Sequence, residues 1–168
     1  MTRLTLIACV LLVLSGIMQA QTTTLSLTVA DEGALVIPAT TNLTNTGSFS
    51  PFTGVTNYTY LIRTGASGTG TLTLKVTTDF GTGGPSVANS GTTGDTLTYT
   101  NTMTGPGTAA TGTQTASTAS GTSVGGVGNN AHTPKAGSSG TVSWTLVDDP
   151  VYTPGPYSAV VTFTLVTT

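Results

Sequence analysis

A chain of 168 residues with only 6% charged side chains and a formal net charge of −2 departs far from the roughly 25% charged content of an ordinary soluble domain. Without a basic cluster it lacks both the counterion-release energy that drives nucleic-acid binding and the polybasic attraction to anionic lipid, so neither is an expected partner. Thr, Gly, Ser and Asn fill the polar positions, which implies a surface of hydroxyls and amides.

Residues 1–20 read as a secretory signal peptide, with Arg3 in a short basic region, an apolar run from Leu4 to Ile17, and small Ala20 before the predicted cut. Leu6-Ile7-Ala8-Cys9 has the form of a lipoprotein box, but the apolar run continues beyond Cys9 and simple cleavage is the expectation. The run falls short of the about 20 residues of a membrane helix. A secreted protein is therefore expected, in the periplasm, at the cell surface or outside the cell, with no membrane span in residues 21–168. Cys9 is the only cysteine, so residues 21–168 are predicted to form one domain held by sheet packing, without disulfides.

From Thr22 the chain alternates Leu25, Leu27 and Val29 against polar residues, breaks at Asp31-Glu32-Gly33, and resumes as Ala34-Leu35-Val36-Ile37 before Pro38. This pattern predicts a first strand, a turn and a short second strand. Residues 39–57 read as a long connection in which Phe49 and Phe52 are isolated apolar anchors. Tyr58 to Thr64 and Thr71 to Thr77 alternate again around Gly65-Ala66-Ser67-Gly68, which predicts a hairpin with Arg63 and Lys75 on its solvated faces.

From Thr78 to Gly140 the composition shifts to Gly, Thr, Ser and Ala. Within this excursion Thr96 to Thr100 resembles a core strand, and Gln114 to Val124 resembles an extended edge segment of small side chains. The clearest alternation comes last. Thr141 to Val147 sets Val142, Trp144 and Leu146 on one face, and Tyr157 to Thr167 sets Tyr157, Ala159, Val161, Phe163 and Leu165 on one face, with a turn-rich link between the two runs. No window of residues 21–168 has helical periodicity. Seven or eight short strands separated by Gly, Pro and Asn turns predict an all-β fold, a single antiparallel β-sandwich of Ig-like or pilin-like kind.

Motifs that carry chemistry are weakly supported. Gly121-Thr122-Ser123-Val124-Gly125 fits a nucleophile elbow, but no helix pattern follows it, and His132 precedes Asp148 and Asp149 instead of following them. Gly126-Val127-Gly128-Asn129-Asn130-Ala131 matches a dinucleotide-binding string without the βαβ unit such a site requires. His132 has no second His or thiol with which to hold zinc. Asp148-Asp149 and Asp31-Glu32 read as turn formers that bond to their own backbone before they read as calcium ligands or a glycosidase pair. The Thr-x-Thr triplets, such as Thr98-Tyr99-Thr100, lack the fixed spacing of an ice-binding array. The expectation is a non-enzymatic protein with no catalytic residues, metal or cofactor.

Trp144-Thr145-Leu146, followed by Tyr157 and then Thr162-Phe163-Thr164-Leu165, resembles the paired motifs of WxL domains, with Phe163 where the second Trp of that pattern stands. The resemblance covers about the last 25 residues and implies noncovalent attachment to cell-wall glycan. Pro154-Gly155-Pro156-Tyr157 leading into Val160 to Val166 also resembles the closing strand of spore coat protein U-like and fimbrial subunits. Trp144, Leu146, Tyr157, Phe163 and Leu165 are thus the candidate motif, either as binding residues or as core anchors. Two functions are expected. One is an extracellular structural or adhesive subunit, pilin-like or coat-like, that joins itself or other surface proteins by strand addition through Thr22 to Val29. The other is a WxL-like module that binds cell wall or glycan.

Overall fold

The computed structural model describes residues 23–89 and 95–168. The expected signal peptide, the cut before Gln21, and Thr22 lie outside the described residues. Among the described residues nine strands form: β1 (Glu32–Val36), β2 (Phe52–Arg63), β3 (Gly70–Thr78), β4 (Leu97–Met103), β5 (Gly107–Ala109), β6 (Gln114–Thr115), β7 (Thr122–Val127), β8 (Ser138–Leu146) and β9 (Val160–Thr167). They pair antiparallel in two sheets, one of order β1-β2-β8-β4-β6 and one of order β5-β7-β3-β9. The fold is all-β, and the two sheets stack as in a sandwich. The count exceeds seven or eight because β5 and β6, of three and two residues, are too short to carry an alternation.

Period-two patterning forms the longer strands. In β2, Thr56, Tyr58, Tyr60 and Ile62 are buried, and the intervening residues face outward. In β8, Val142, Trp144 and Leu146 are buried, and β3 contributes Leu72, Leu74 and Val76 from the opposite sheet. The core lies between these rows, and its rings reach polar partners as buried phenols and indoles require. The Tyr60 hydroxyl donates to the Thr104 carbonyl and accepts from the Gly107 N–H at 3.0 Å. Tyr99 donates to the Ser123 carbonyl at 2.8 Å.

The predicted hairpin of Tyr58 to Thr64 with Thr71 to Thr77 is corrected, and the two C-terminal runs joined by the turn-rich link do not pair with each other either. β2 and β3 lie in different sheets, as do β8 and β9. Two strands, each with one apolar face, can bury those faces by pairing edge to edge or by facing one another, and alternation alone does not distinguish these. The end of β2 is clamped by a distant segment: Thr64 N–H donates to the Ala131 carbonyl at 3.0 Å and its hydroxyl to Gly128 at 2.8 Å. This turns the chain into the second sheet, where Gly70 admits the Ile62 side chain, since a Cβ there would meet Ile62 Cδ1 at 2.3 Å. β9 pairs with β3, with Leu74 opposite Phe163, and β8 sits between β2 and β4.

The predicted first strand is also corrected, because residues 23–31 belong to neither sheet. The predicted turn at Asp31-Glu32-Gly33 is the start of β1, fixed by Asp31 accepting the Gly65 N–H at 2.7 Å and by Glu32 pairing with Arg63 at 3.0 Å. Residues 52–57 are strand, not connection. Gly54, which suggests a turn, is needed there because an added Cβ would come within 2.6 Å of the Asn42 carbonyl.

The Gly-rich excursion holds four strands. Gln114–Thr115 does form an edge, but Thr122–Val127 lies inside its sheet between β5 and β3. A bulge in the β3–β7 pairing takes Val124 out of register and turns it fully into the core. The outer faces carry cross-strand hydroxyl pairs, Thr102 with Thr141 at 2.7 Å and Thr77 with Thr162 at 3.1 Å. Among the described residues no helix is long and apolar enough to cross a membrane.

Candidate functional site

β9 closes one edge of its sheet. It pairs with β3 on one side, and among the described residues no strand pairs with its other side. Its inward row, Val161, Phe163 and Leu165, is only half-buried, whereas the matching row of β3 is fully buried. The reason lies across the stack. β1 ends at Val36, so it covers only the Leu165 end of β9, where Gly33 approaches the Leu165 side chain. Beyond Val36 the chain runs on without regular pairing, and the sheets leave a groove of about 810 Å³.

The groove is apolar at its floor and polar at one rim. Trp144, Leu146 and Leu97 form the floor from one sheet, Val161 and Phe163 form a wall from the other, and Ile37, Leu43 and Phe52 face them. Trp144 is 5% exposed and meets Phe163 edge-on at 6.4 Å and 85°. Its ring lies 5.4 Å from Tyr99, and its indole N–H donates at 2.8 Å to Thr56 Oγ1, which in turn pairs with the Thr41 hydroxyl at 2.7 Å. The indole face and its polar atom are thus both occupied within the protein.

Four members of the sequence motif line this groove: Trp144, Leu146, Tyr157 and Phe163. Leu165 sits further along the same row of β9, beside β1. Tyr157 is half-buried and lies over Gly84, where a Cβ would come within 2.4 Å of its ring, and its hydroxyl donates to the Thr153 carbonyl at 2.6 Å.

The rim carries Asp148 and Asp149. Asp149 accepts the Val151 N–H at 3.0 Å and Asp148 accepts from Asn45 at 3.2 Å, so both are engaged in local bonds. Asp95 is buried and accepts the Tyr152 hydroxyl at 2.6 Å and the Ser86 N–H at 3.1 Å. Burial, that bond, and the charges of Asp95, Asp149 and Asp148 push the Tyr152 phenol well above its ordinary range. Asp79 ties down the loop that follows β3. Burial acts to raise its carboxyl, but the N–H groups of Val87, Ala88 and Phe80 and the Ser86 hydroxyl outweigh this and hold it below the ordinary carboxylate range. Among the described residues no three His, Cys, Asp or Glu side chains gather as a metal-holding group.

The second half of the candidate site is residues 23–30. Leu25, Leu27 and Val29 are 92%, 86% and 58% exposed, although their alternation is that of a strand with one buried face. Sequence reasoning found the pattern and missed its setting, because alternation does not say which sheet a strand joins. The half-buried row of β9 was missed for the same reason. An exposed apolar strand segment and an open apolar sheet edge are chemically matched, since strand addition uses backbone hydrogen bonds for affinity and alternate side-chain pockets for specificity. Comparison with family models, characterised proteins and solved structures finds no match to this chain.

Proposed function

We propose that this chain is a secreted, non-enzymatic structural or adhesive surface subunit, pilin-like in architecture, that assembles by strand addition. The observation that carries this reading is the exposure of Leu25, Leu27 and Val29 on a segment outside both sheets. Fully burying an aliphatic side chain of this size contributes about 1.5–3 kcal/mol, so seating all three in a sheet offers on the order of 5–9 kcal/mol before ordering costs. A segment kept permanently in water would forgo that energy and would present an aggregation-prone face.

The experiment is deletion of residues 21–30. The shortened chain should stay folded, because residues 23–30 pair with neither sheet, and it should no longer form polymers in concentrated solution. A synthetic peptide of residues 21–30 should bind the shortened chain. A full-length chain that is monomeric at millimolar concentration and indifferent to the peptide would overturn the reading.

A further inference from the structure

We infer that residues 23–30 dock in the β9 groove of a second copy of this chain, antiparallel to β9, with Leu25 opposite Leu165, Leu27 opposite Phe163 and Val29 opposite Val161. This rests on the strand-addition reading above and adds the acceptor, the direction and the register. β9 has eight residues, the length of the segment. Its free edge offers unpaired backbone groups, and its inward row is half-exposed. In an antiparallel pair, directly opposed residues share a face, so this register points Leu27 and Val29 into the groove beside Phe163 and Val161 and sets Leu25 at its β1 end beside Leu165. It also sets Ser26 beside Thr164 and Thr28 beside Thr162 on the outer face, repeating the hydroxyl pairing of Thr102 with Thr141.

The direction selects the second copy. Each chain's own Ala30 is tied beside the end of β2, where its carbonyl accepts from Arg63 Nε at 2.9 Å and Asp31 holds the Gly65 N–H. That is the Thr167 end of β9, since Gly33 lies against Leu165 and Thr167. A segment folded back onto its own β9 would therefore run parallel to it. The antiparallel register needs Ala30 at the Val160 end, which only another copy can supply. Each copy then offers one donor and one acceptor, a head-to-tail contact that extends into a chain.

The test uses full-length protein in which Cys9→Ser removes the native thiol and single cysteines are introduced on outward positions, where folding is not at stake. Ser26→Cys copies mixed with Thr164→Cys copies should form an intermolecular disulfide on mild oxidation, at least tenfold faster than Ser26→Cys copies mixed with Thr71→Cys copies, whose thiol lies one strand further in, on β3. Adding excess 21–30 peptide should cut the yield at least tenfold, and a Leu27→Asp peptide should not. Polymers without the 26–164 bond would overturn the acceptor assignment and leave the subunit reading standing, whereas absence of both polymers and bond would overturn the two together. A faster bond between Ser26→Cys and Thr162→Cys would overturn the register. A bond formed within single chains of the Ser26→Cys/Thr164→Cys double variant would show the segment on its own sheet and overturn the second copy.

Discussion

Trp144 and Phe163 touch, yet truncating them should have unequal effects. Trp144 is 5% exposed and packs on Tyr99 as well as Phe163. Truncation to Ala removes a fully buried ring, a change that costs about 3–5 kcal/mol. Loss of the indole bond to Thr56 adds little, because the Thr56 hydroxyl keeps Thr41 as a partner. Phe163 is half-buried at an open edge, so Phe163→Ala should cost about 2 kcal/mol, roughly half the fully buried value. Asp149→Ala should cost less than either, since it removes one exposed turn bond. With an m-value of about 2 kcal/mol/M, urea midpoints followed by far-UV circular dichroism on monomeric protein should fall by about 2 M for Trp144→Ala and about 1 M for Phe163→Ala. Equal shifts for the two aromatics would refute the claim that the β9 edge is uncovered in the free subunit. An Asp149→Ala variant less stable than both would refute the assignment of the rim acids to turn structure.

Two pH effects follow with opposite signs. The Asp79 carboxyl is held below its ordinary range, so its stabilisation is present above the unfolded-state value and is lost as pH falls through the depressed one; Asp79→Ala should cost about 1–2 kcal/mol near neutrality and flatten the acid limb of a pH series of urea melts. The Tyr58 and Tyr152 phenols are pushed up from 10.0, Tyr58 chiefly by burial beside Tyr60 and Tyr152 by burial and the neighbouring acids. Unfolded tyrosines ionise first, so stability should decline as pH rises above about 10, and Tyr152→Phe should make that decline shallower.

What the sequence made legible was faces, and what it left open was partners. The inward sets of β2, β3, β8 and β9 follow from alternation, including Trp144 and Phe163 on rows that meet. Pairing is a different kind of information. Whether β3 neighbours β2 or faces it is decided by bonds from Thr64 to Gly128 and Ala131, more than sixty residues away. β7 was obscured because only Val124 and Val127 give it core side chains, and the glycines between them pack by backbone: Gly125 admits Met103 and the Thr108 carbonyl at distances that exclude a side chain, so a run that packs closely reads as loop composition. The candidate site was half legible, since its donor segment alternates plainly, whereas its acceptor is defined by a strand that stops early at Val36.

The hydroxyl pairs across the outer faces bear on how many copies can crowd together. Arg63 with Glu32 is the one salt bridge among the described residues, and it lies exposed at one end of the stack. Elsewhere neighbouring strands are bridged by Thr and Ser side chains that carry no charge. Subunits joined end to end bring like surfaces within a Debye length of one another, about 8 Å at physiological ionic strength, and a densely charged coat would then repel its own copies. A coat of neutral hydroxyls sets no such barrier, so an assembly built from this domain should keep its length as salt is diluted or concentrated.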